Sequence, residues 1–563
     1  MAEKRKGTYH SYRDLIVLLG LLLISGLAYG RLVWMGGLFG DDPAVLVAYH
    51  WMGNAGFDAF YGWARPYSTC VYKLVVPLVG DNLHLYQAVT ILMRVLSAWM
   101  LYVLLKKLFN TRGSAPILAA MICLIYPGFT QQAHSLHYLL HFTVLTIALL
   151  SLYLMLRAVR AGDKKRSIGW MLLSLLTACV HFSVEYFVGL ELLRPLIIYL
   201  AVNGDSAIKT PFKQIWRIWL PFGGLLSAYI VWRVVLFHPA YPAITVFDLL
   251  TEAPFLAVVE VGKRALADLW KVSVSAWGNA FNLSIRKSGE LLYVFIAIIL
   301  SVGIGFLIGR LMKEGGENPS RKKSTVWIAL GAAGLVCGGV PLWASQLPLE
   351  ITFPWNRTTL CFLVGVSILT AGLLSILPKK AAAVLFAAIT GFSIIFQFQV
   401  GLDYQRQWDK VRILFAQLVK QAPGLAPDTL ILFEELPLRY YSANNLTAFL
   451  NWTYDPERRD GSERYKMFEI SERLGNVLPA LEPDIKIIHN TFHGNTSHVL
   501  VIAVDQQGCL VILDRNQPAP FVLPEMTAAA RLLSNPGALI TTANPPAELP
   551  GVLMPNEDLV LCK

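Results

Sequence analysis

Residues 14–43 read DLIVLLGLLLISGLAYGRLVWMGGLFGDDP. The first part is an apolar run of about 20 residues, the length that an α-helix needs to cross the hydrocarbon core of a bilayer. The run is followed by two adjacent carboxylates, Asp41 and Asp42, and then by Pro43. This stretch predicts a membrane helix with a pair of acidic side chains beyond its far end. It is too long to be a cleaved signal peptide.

The composition of the whole chain agrees with that interpretation. Of the 563 residues, 55% are hydrophobic and only 15% are charged, whereas soluble domains are about 25% charged. This composition argues against a soluble globular enzyme. Aromatic residues make up 12% of the chain, which argues against disorder.

Apolar runs of membrane-spanning character recur along the first 400 residues. We predict a polytopic α-helical membrane protein with about eleven transmembrane helices. The predicted spans are 14–35, 84–105, 115–130, 137–156, 168–186, 187–202, 215–237, 290–310, 325–345, 358–377 and 381–400.

Basic residues cluster before the first span and after each even-numbered one. Because short cytoplasmic loops carry an excess of Lys and Arg, this distribution predicts a cytoplasmic N-terminus. With eleven spans, the C-terminus is then extracytoplasmic. The formal net charge of +11 therefore indicates topology, and nucleic acid is not an expected partner.

The topology predicts two parts. Residues 1–400 form a transmembrane domain with outward loops at 36–83 and 238–289, and residues 401–563 form a small extracytoplasmic α+β domain. The tail is expected to begin with a helix and to contain four strands, at Thr429–Phe433, Ile485–His489, Val499–Val504 and Cys509–Asp514. Cys509 and Cys562 are expected to form a disulfide if this region faces an oxidising compartment.

The acidic pair is the first candidate catalytic feature. A carboxylate at the boundary between lipid and water can act as a general base, with a pKa set by partial burial and by its neighbour. The alternative is that an Asp before Pro43 simply caps a helix. Arg65, in the sequence Arg65-Pro66-Tyr67, lies in the same predicted outward loop.

Ionisable residues within membrane spans are costly and usually functional. Glu191 and Arg194, three residues apart on one helix, are expected to neutralise each other. Arg94 is a candidate partner of Glu185, with function as the open alternative.

A second group of candidates lies near the predicted outer face. Arg233 and Arg357 are the best candidates for binding phosphate, because the guanidinium group offers a planar fork of donors. Glu185, His134 and His137 are expected beside them in an outward-opening cavity.

The layout resembles the GT-C superfamily of polyprenyl-phosphate-sugar-dependent membrane glycosyltransferases, and in particular the bacterial relatives of the protein O-mannosyltransferases. An acidic pair follows the first span, and an Arg-Pro segment, Ala64-Arg65-Pro66-Tyr67, comes about two dozen residues later. The flanking positions of that segment depart from the family's Tyr-Arg-Pro-Leu. Glu185 matches the family's acidic residue late in the fifth span, and Arg357 matches its late Arg before a span.

The resemblance implies a mechanism in which Arg357, helped by Arg233 or Arg65, holds the donor phosphate. Asp42 or Asp41 removes the proton from an acceptor hydroxyl, and the anomeric carbon is attacked with inversion. Asp42 is favoured slightly over Asp41. No cofactor is required; Mg²⁺ or Mn²⁺ bound by the carboxylates with His134 and His137 is the alternative.

The implied partners are a polyprenyl-phosphate-linked sugar, membrane lipid, and a glycan, lipid or protein acceptor. The implied location is the bacterial plasma membrane. The competing hypothesis is a transporter or a flippase of lipid-linked sugars, which would also need intramembrane charges.

Overall fold

The structure is a computed structural model. It describes residues 2–62, 65, 67–111, 113–203, 211–237, 246–282, 288–314, 321–434, 436–458, 462–470, 484–486, 491–493, 498–542 and 547–555.

Helices dominate the first 421 residues. They are α1 (Ala2–Met35), α2 (Asp42–Met52), α3 (Asn54–Tyr61), α4 (Thr69–Val79), α5 (Leu83–Leu108), α6 (Ala115–Ile125), α7 (Ser135–Val159), α8 (Lys164–His181), α9 (Gly189–Asn203), α10 (Phe212–Val231), α11 (Val246–Glu252), α12 (Pro254–Trp270), α13 (Ala276–Asn279), α14 (Ser288–Glu314), α15 (Arg321–Ala344), α16 (Leu363–Leu374) and α17 (Lys379–Gln421).

Within the described residues, three shorter helices and six strands follow. They are β1 (Leu430–Phe433), α18 (Ala443–Tyr454), β2 (Lys466–Glu469), β3 (Asp484–Lys486), β4 (Thr491–His493), β5 (Val499–Val504), β6 (Leu510–Leu513), α19 (Glu525–Arg531) and α20 (Pro536–Leu539).

Each of the eleven predicted spans coincides with a helix. Within the described part of the chain, seven helices are long and apolar enough to cross a membrane. The other four predicted spans coincide with α6, α8, α9 and α14. Over their described residues, these helices are too short or not apolar enough to be counted among the seven. The prediction of a multi-pass helical membrane protein with a small C-terminal sheet is confirmed.

Contacts between residues divide the chain into two compact units. The first unit comprises Met1–Trp34, Gln87–Gln132 and Tyr138–Leu402. The second unit comprises Met35–Tyr86, Ala133–His137 and Asp403–Lys563. The second unit thus groups the C-terminal tail with the segment that carries the acidic pair.

In the first unit, small residues allow α15 and α16 to pack closely, as is common between membrane helices. A Cβ atom at Gly365 would lie 2.4 Å from the backbone nitrogen of Leu335, and one at Gly338 would lie 2.2 Å from the carbonyl oxygen of Cys361. Cys361 belongs to the 3₁₀ segment Trp355–Phe362 that leads into α16. The close packing therefore fixes the backbone of the segment that contains Arg357.

The predicted outward loop 238–289 lies partly outside the described residues. Its described part includes α12, in which Phe255 and Leu266 are exposed. Asp268 on the same helix is buried, and its Oδ2 accepts a hydrogen bond of 3.1 Å from the indole nitrogen of Trp343.

The second unit contains a four-stranded sheet in the order β2-β1-β5-β6. β1 is parallel to both β2 and β5, whereas β5 and β6 form an antiparallel hairpin. The strand predicted at Val499–Val504 is β5, with identical bounds. The strands predicted at Thr429–Phe433 and Cys509–Asp514 match β1 and β6. β2 was not predicted.

Cys509 lies at the turn between β5 and β6 and is disulfide-bonded. The predicted partner, Cys562, lies outside the described residues. Asp505 orders the turn, because its carboxylate accepts hydrogen bonds of 2.8 Å from the backbone N–H groups of Gln507 and Cys509.

Candidate active site

The acidic pair lies in the second unit, where the loop that follows α1 ends and α2 begins. Gly40 has a φ angle of +56°, and a Cβ atom there would lie 2.3 Å from Nδ1 of His134. Only glycine combines this backbone conformation with so close an approach. Asp41 then occupies the N-cap position of α2, and Asp42 and Pro43 form the first two positions of that helix. The two carboxyl groups consequently have different surroundings.

Asp42 is fully buried, and its carboxylate lies at the beginning of α7. It accepts hydrogen bonds from the backbone N–H of His137 at 2.9 Å and from the hydroxyl of Ser135 at 3.4 Å. The first N–H groups of a helix have no partner within the helix and favour an anion. Burial raises the pKa of Asp42 to about 8, and the charge of Asp41 adds to the rise, while the donors of α7 oppose it.

This pKa predicts how stability depends on pH. Because the pKa in the folded protein exceeds the ordinary 3.8, the folded state binds this proton more tightly than the unfolded state. The contribution of Asp42 is therefore most favourable below about pH 4 and is lost as the pH rises through about 8. We expect Asp42→Asn, which cannot titrate, to lose less thermal stability than the wild type on going from about pH 5 to about pH 8.5. Identical pH dependence of the two melting midpoints would refute this.

Asp41, in contrast, faces solvent, with 52% of its side chain exposed. Its Oδ2 lies 3.7 Å from Nδ1 of His137, and the ring of His137 is itself largely buried. A carboxylate in this position can meet an incoming hydroxyl group. The neighbouring imidazole can stabilise its charged form.

His134 and Arg65 belong to the same unit. His134 is buried, and its Nε2 lies 3.2 Å from the hydroxyl of Tyr404. Its position favours a role in supporting the loop at Gly40. Arg65 is half-buried, and its carbonyl oxygen accepts a 2.7 Å hydrogen bond from the hydroxyl of Ser68. Their predicted roles in substrate binding stay predictions.

The other three candidates belong to the first unit. Glu185 begins a 3₁₀ turn, Glu185–Phe187, and its Oε1 lies 3.5 Å from Nη2 of Arg233. Arg233 stands in a single π-helical turn at the end of α10, a feature that is frequent at functional sites. Its Nη1 is buried and has no hydrogen-bond partner among the described residues.

Arg357 lies in the 3₁₀ segment Trp355–Phe362, which contacts the turn Glu185–Phe187. Its guanidinium group is 4.5 Å from the centroid of the Trp355 ring. Its Nε is buried and lacks a hydrogen-bond partner in the described part of the chain. The first unit therefore contains two arginines, Arg233 and Arg357, that each have a buried N–H donor with no hydrogen-bond partner among the described residues. Such a group of donors suits an anionic oxygen ligand.

Buried amides that were not predicted hold this segment. The side-chain nitrogen of Gln131 donates to the carbonyl oxygen of Pro354 at 2.7 Å and also to the side-chain oxygen of Asn356. The hydroxyl of Tyr138 donates to the side-chain oxygen of Gln131 at 2.8 Å. These bonds hold the backbone of Pro354 and the side chain of Asn356, and so constrain the segment that carries Arg357.

Other charged side chains of the first unit are also buried. Glu191 and Arg194 form the predicted pair, with two N–O distances of 2.5 Å. The bridge considered between Arg94 and Glu185 is wrong, because Arg94 donates to Gln132 at 3.0 Å and Glu185 pairs with Arg233. The guanidinium of Arg94 lies against the rings of Tyr29, Phe129 and Phe142.

The described residues contain no group of three or more His, Cys, Asp or Glu side chains that could hold a metal ion. Asp42 is engaged by the beginning of α7 and His134 by Tyr404. The binding of Mg²⁺ or Mn²⁺ by Asp41, Asp42, His134 and His137 stays a prediction.

Residues 66–237 match a family model described as dolichyl-phosphate-mannose-protein mannosyltransferase. The resemblance predicted from the sequence is confirmed over those residues. They make up less than a third of the chain and include Glu185 and Arg233. No curated protein matches the sequence.

Similar solved structures include an oligosaccharyltransferase and ArnT. An oligosaccharyltransferase from Archaeoglobus fulgidus shares 14% identity over 79% of this chain, with a TM-score of 0.39. The chain covers 62% of that protein's length. ArnT from Cupriavidus metallidurans shares 13% identity over 78% of this chain and 85% of its own, with a TM-score of 0.30.

Proposed function

We propose that this protein is a membrane glycosyltransferase that moves a sugar from a polyprenyl-phosphate donor to an acceptor hydroxyl group. The match of residues 66–237 to the mannosyltransferase family model supports this class. The observation that carries the proposal is the chemistry of two groups of side chains. The first unit contains arginine N–H donors that have no hydrogen-bond partner among the described residues, and the second contains an exposed carboxylate beside an imidazole.

In this proposal, Arg357 and Arg233 bind the phosphate of the donor. A phosphodiester carries one negative charge, and the polyprenyl phosphate that leaves carries a second. Donors aimed at the phosphate therefore stabilise the transition state more than the ground state. Glu185 keeps Arg233 in place through their contact of 3.5 Å.

Asp41 serves as the general base in preference to Asp42. Asp41 is exposed, whereas Asp42 is buried and bound to the backbone of α7. Asp41 accepts the proton of the acceptor hydroxyl as the oxygen forms a bond to the anomeric carbon. The bond from that carbon to the phosphate oxygen breaks, and attack from the opposite face inverts the configuration. This reaction needs no metal ion.

In this proposal, the second unit and its acidic pair face the extracytoplasmic side. The distribution of basic residues supports this orientation, and so does the disulfide at Cys509, because disulfides persist in oxidising compartments. The second unit, which contains both Cys509 and the acidic pair, would then lie outside the cytoplasm.

Mass spectrometry of lipid-linked sugars and envelope glycans, from cells with and without the protein, tests the proposal. We expect a polyprenyl-phosphate sugar to accumulate without the protein, together with a truncated glycan. Protein purified in detergent should also consume that lipid when the acceptor is supplied. Loss of the activity in detergent, with retention in sealed vesicles, would favour a transporter or flippase instead.

A further inference from the structure

A helix of the C-terminal tail contacts the loop that carries the acidic pair. Asn445 lies on α18 and is buried, and its side-chain nitrogen donates a hydrogen bond to the carbonyl oxygen of Gly40. These residues are 405 positions apart in the sequence, and both belong to the second unit.

The carbonyl group of Gly40 belongs to the peptide that links Gly40 to Asp41. Because a peptide group is planar, fixing its oxygen also orients the nitrogen and Cα of Asp41. The tether matters at this position, since glycine is otherwise the residue with the greatest backbone freedom.

Asn445 is itself held firmly. Its side-chain oxygen accepts hydrogen bonds from the backbone N–H of Ser442 at 2.9 Å and from the hydroxyl of Ser442 at 3.1 Å. These bonds close the first turn of α18. The side-chain oxygen of Asn445 therefore caps its own helix. Its side-chain nitrogen binds the loop of residues 36–41, which we call the acidic loop.

A second contact from the tail reaches the same loop. The hydroxyl of Tyr441 donates to the carbonyl oxygen of Leu38 at 3.1 Å. The ring of Tyr441 packs 5.5 Å from that of Phe39, which also meets the ring of Tyr404 edge-on at 4.8 Å. The loop is thus held by a hydrogen bond on each side of a buried phenylalanine.

The sheet in turn holds α18. Asn451 on this helix donates to the carbonyl oxygen of Tyr465 at 2.7 Å. The backbone N–H of Met467 in β2 donates to the hydroxyl of Thr447 at 3.0 Å. A continuous series of hydrogen bonds therefore connects the C-terminal sheet to Gly40.

We propose that Asn445 is a positioning residue for Asp41, and that the C-terminal α+β region acts as part of the active site by fixing the acidic loop. This inference rests on the proposed function, in which Asp41 is the general base. It assigns the tail a role in turnover in addition to any contact with the acceptor.

The test compares Asn445→Asp with Ser442→Ala in the full-length protein. Asn445→Asp keeps the acceptor that caps α18 but removes the donor to Gly40. Ser442→Ala removes a capping hydroxyl and leaves that donor in place. We expect Asn445→Asp to lower kcat by roughly 10- to 100-fold, the cost of a misplaced catalytic group. KM for the donor lipid should stay within about twofold, because its phosphate is bound by arginines of the first unit.

Hydrogen–deuterium exchange gives a readout that does not depend on activity. We expect faster exchange in the backbone amides of residues 38–45 for Asn445→Asp, and wild-type exchange there for Ser442→Ala. Wild-type kcat in Asn445→Asp, or an equal loss in Ser442→Ala, would overturn the inference. If Asp41→Asn were fully active, the proposed base would fail, whereas the exchange experiment would still report whether the tether exists.

Discussion

Asp41→Asn is expected to lower the rate of sugar transfer by about 10²- to 10⁴-fold, the usual contribution of a general base. The amide has the shape of the carboxylate but cannot accept the proton of the acceptor hydroxyl. Asp41 is exposed, so the substitution should leave folding intact. The measurement is the initial rate of sugar transfer by the purified full-length protein at saturating donor lipid.

Asp42→Asn provides the decisive contrast. Its side-chain oxygen can still accept the N–H of His137 that Asp42 accepts at 2.9 Å, so the beginning of α7 stays capped. We expect transfer to fall by no more than about tenfold. Asp58→Asn, an exposed position whose carboxylate pairs with Lys73, serves as a matched control for loss of one charge. If Asp42→Asn is folded and as inactive as Asp41→Asn, then Asp42 is the base.

The preference between these neighbours shows what one sequence can reveal. The pair was found because two carboxylates follow a membrane span, which is a local pattern. Choosing between them needs their burial and their hydrogen-bond partners, and the partners of Asp42 are Ser135 and His137, more than 90 residues away. From the sequence alone, two adjacent Asp residues cannot be distinguished in their burial or in their partners.

In the fold, too, local features could be predicted from the sequence, whereas contacts between distant residues could not. Apolar runs predicted the helices well, because membrane helices satisfy their backbone hydrogen bonds locally. The ion pair of Glu191 and Arg194 was also predictable, since residues three apart share a helix face. The bridge from Arg94 to Glu185 depended on packing between helices and was wrong. β2 was missed because its four residues, Lys466–Glu469, have charged ends and pair in parallel with a distant strand.

Uncharged amides were the main omission at the candidate site. Gln131, Asn356 and Asn445 are buried and hold backbone segments that carry Arg357 or Asp41. A search for ionisable residues passes over them. The one available signal was position, because Asn356 directly precedes Arg357 and Gln131 lies in a short polar segment between two apolar runs.

Arg357→Ala is the second substitution with a large expected effect. A charge-assisted hydrogen bond contributes roughly 1.5–3 kcal/mol, which corresponds to roughly 10- to 150-fold in rate. The loss should appear in kcat as well as in kcat/KM, because the second negative charge on the phosphate develops only as the sugar departs. Arg357→Lys should recover part of the rate, since it restores the charge without the planar fork.

Arg157 offers a matched control for lost packing. Its guanidinium lies 4.5 Å from the ring centroid of Trp170, the same distance that separates Arg357 from Trp355. Arg157→Ala therefore removes an equivalent cation–π contact from the first unit but no proposed ligand of the phosphate. We expect Arg157→Ala to transfer sugar at the wild-type rate. If both alanine variants lose activity equally, the effect of Arg357 comes from its contact with tryptophan, and the phosphate must be bound elsewhere.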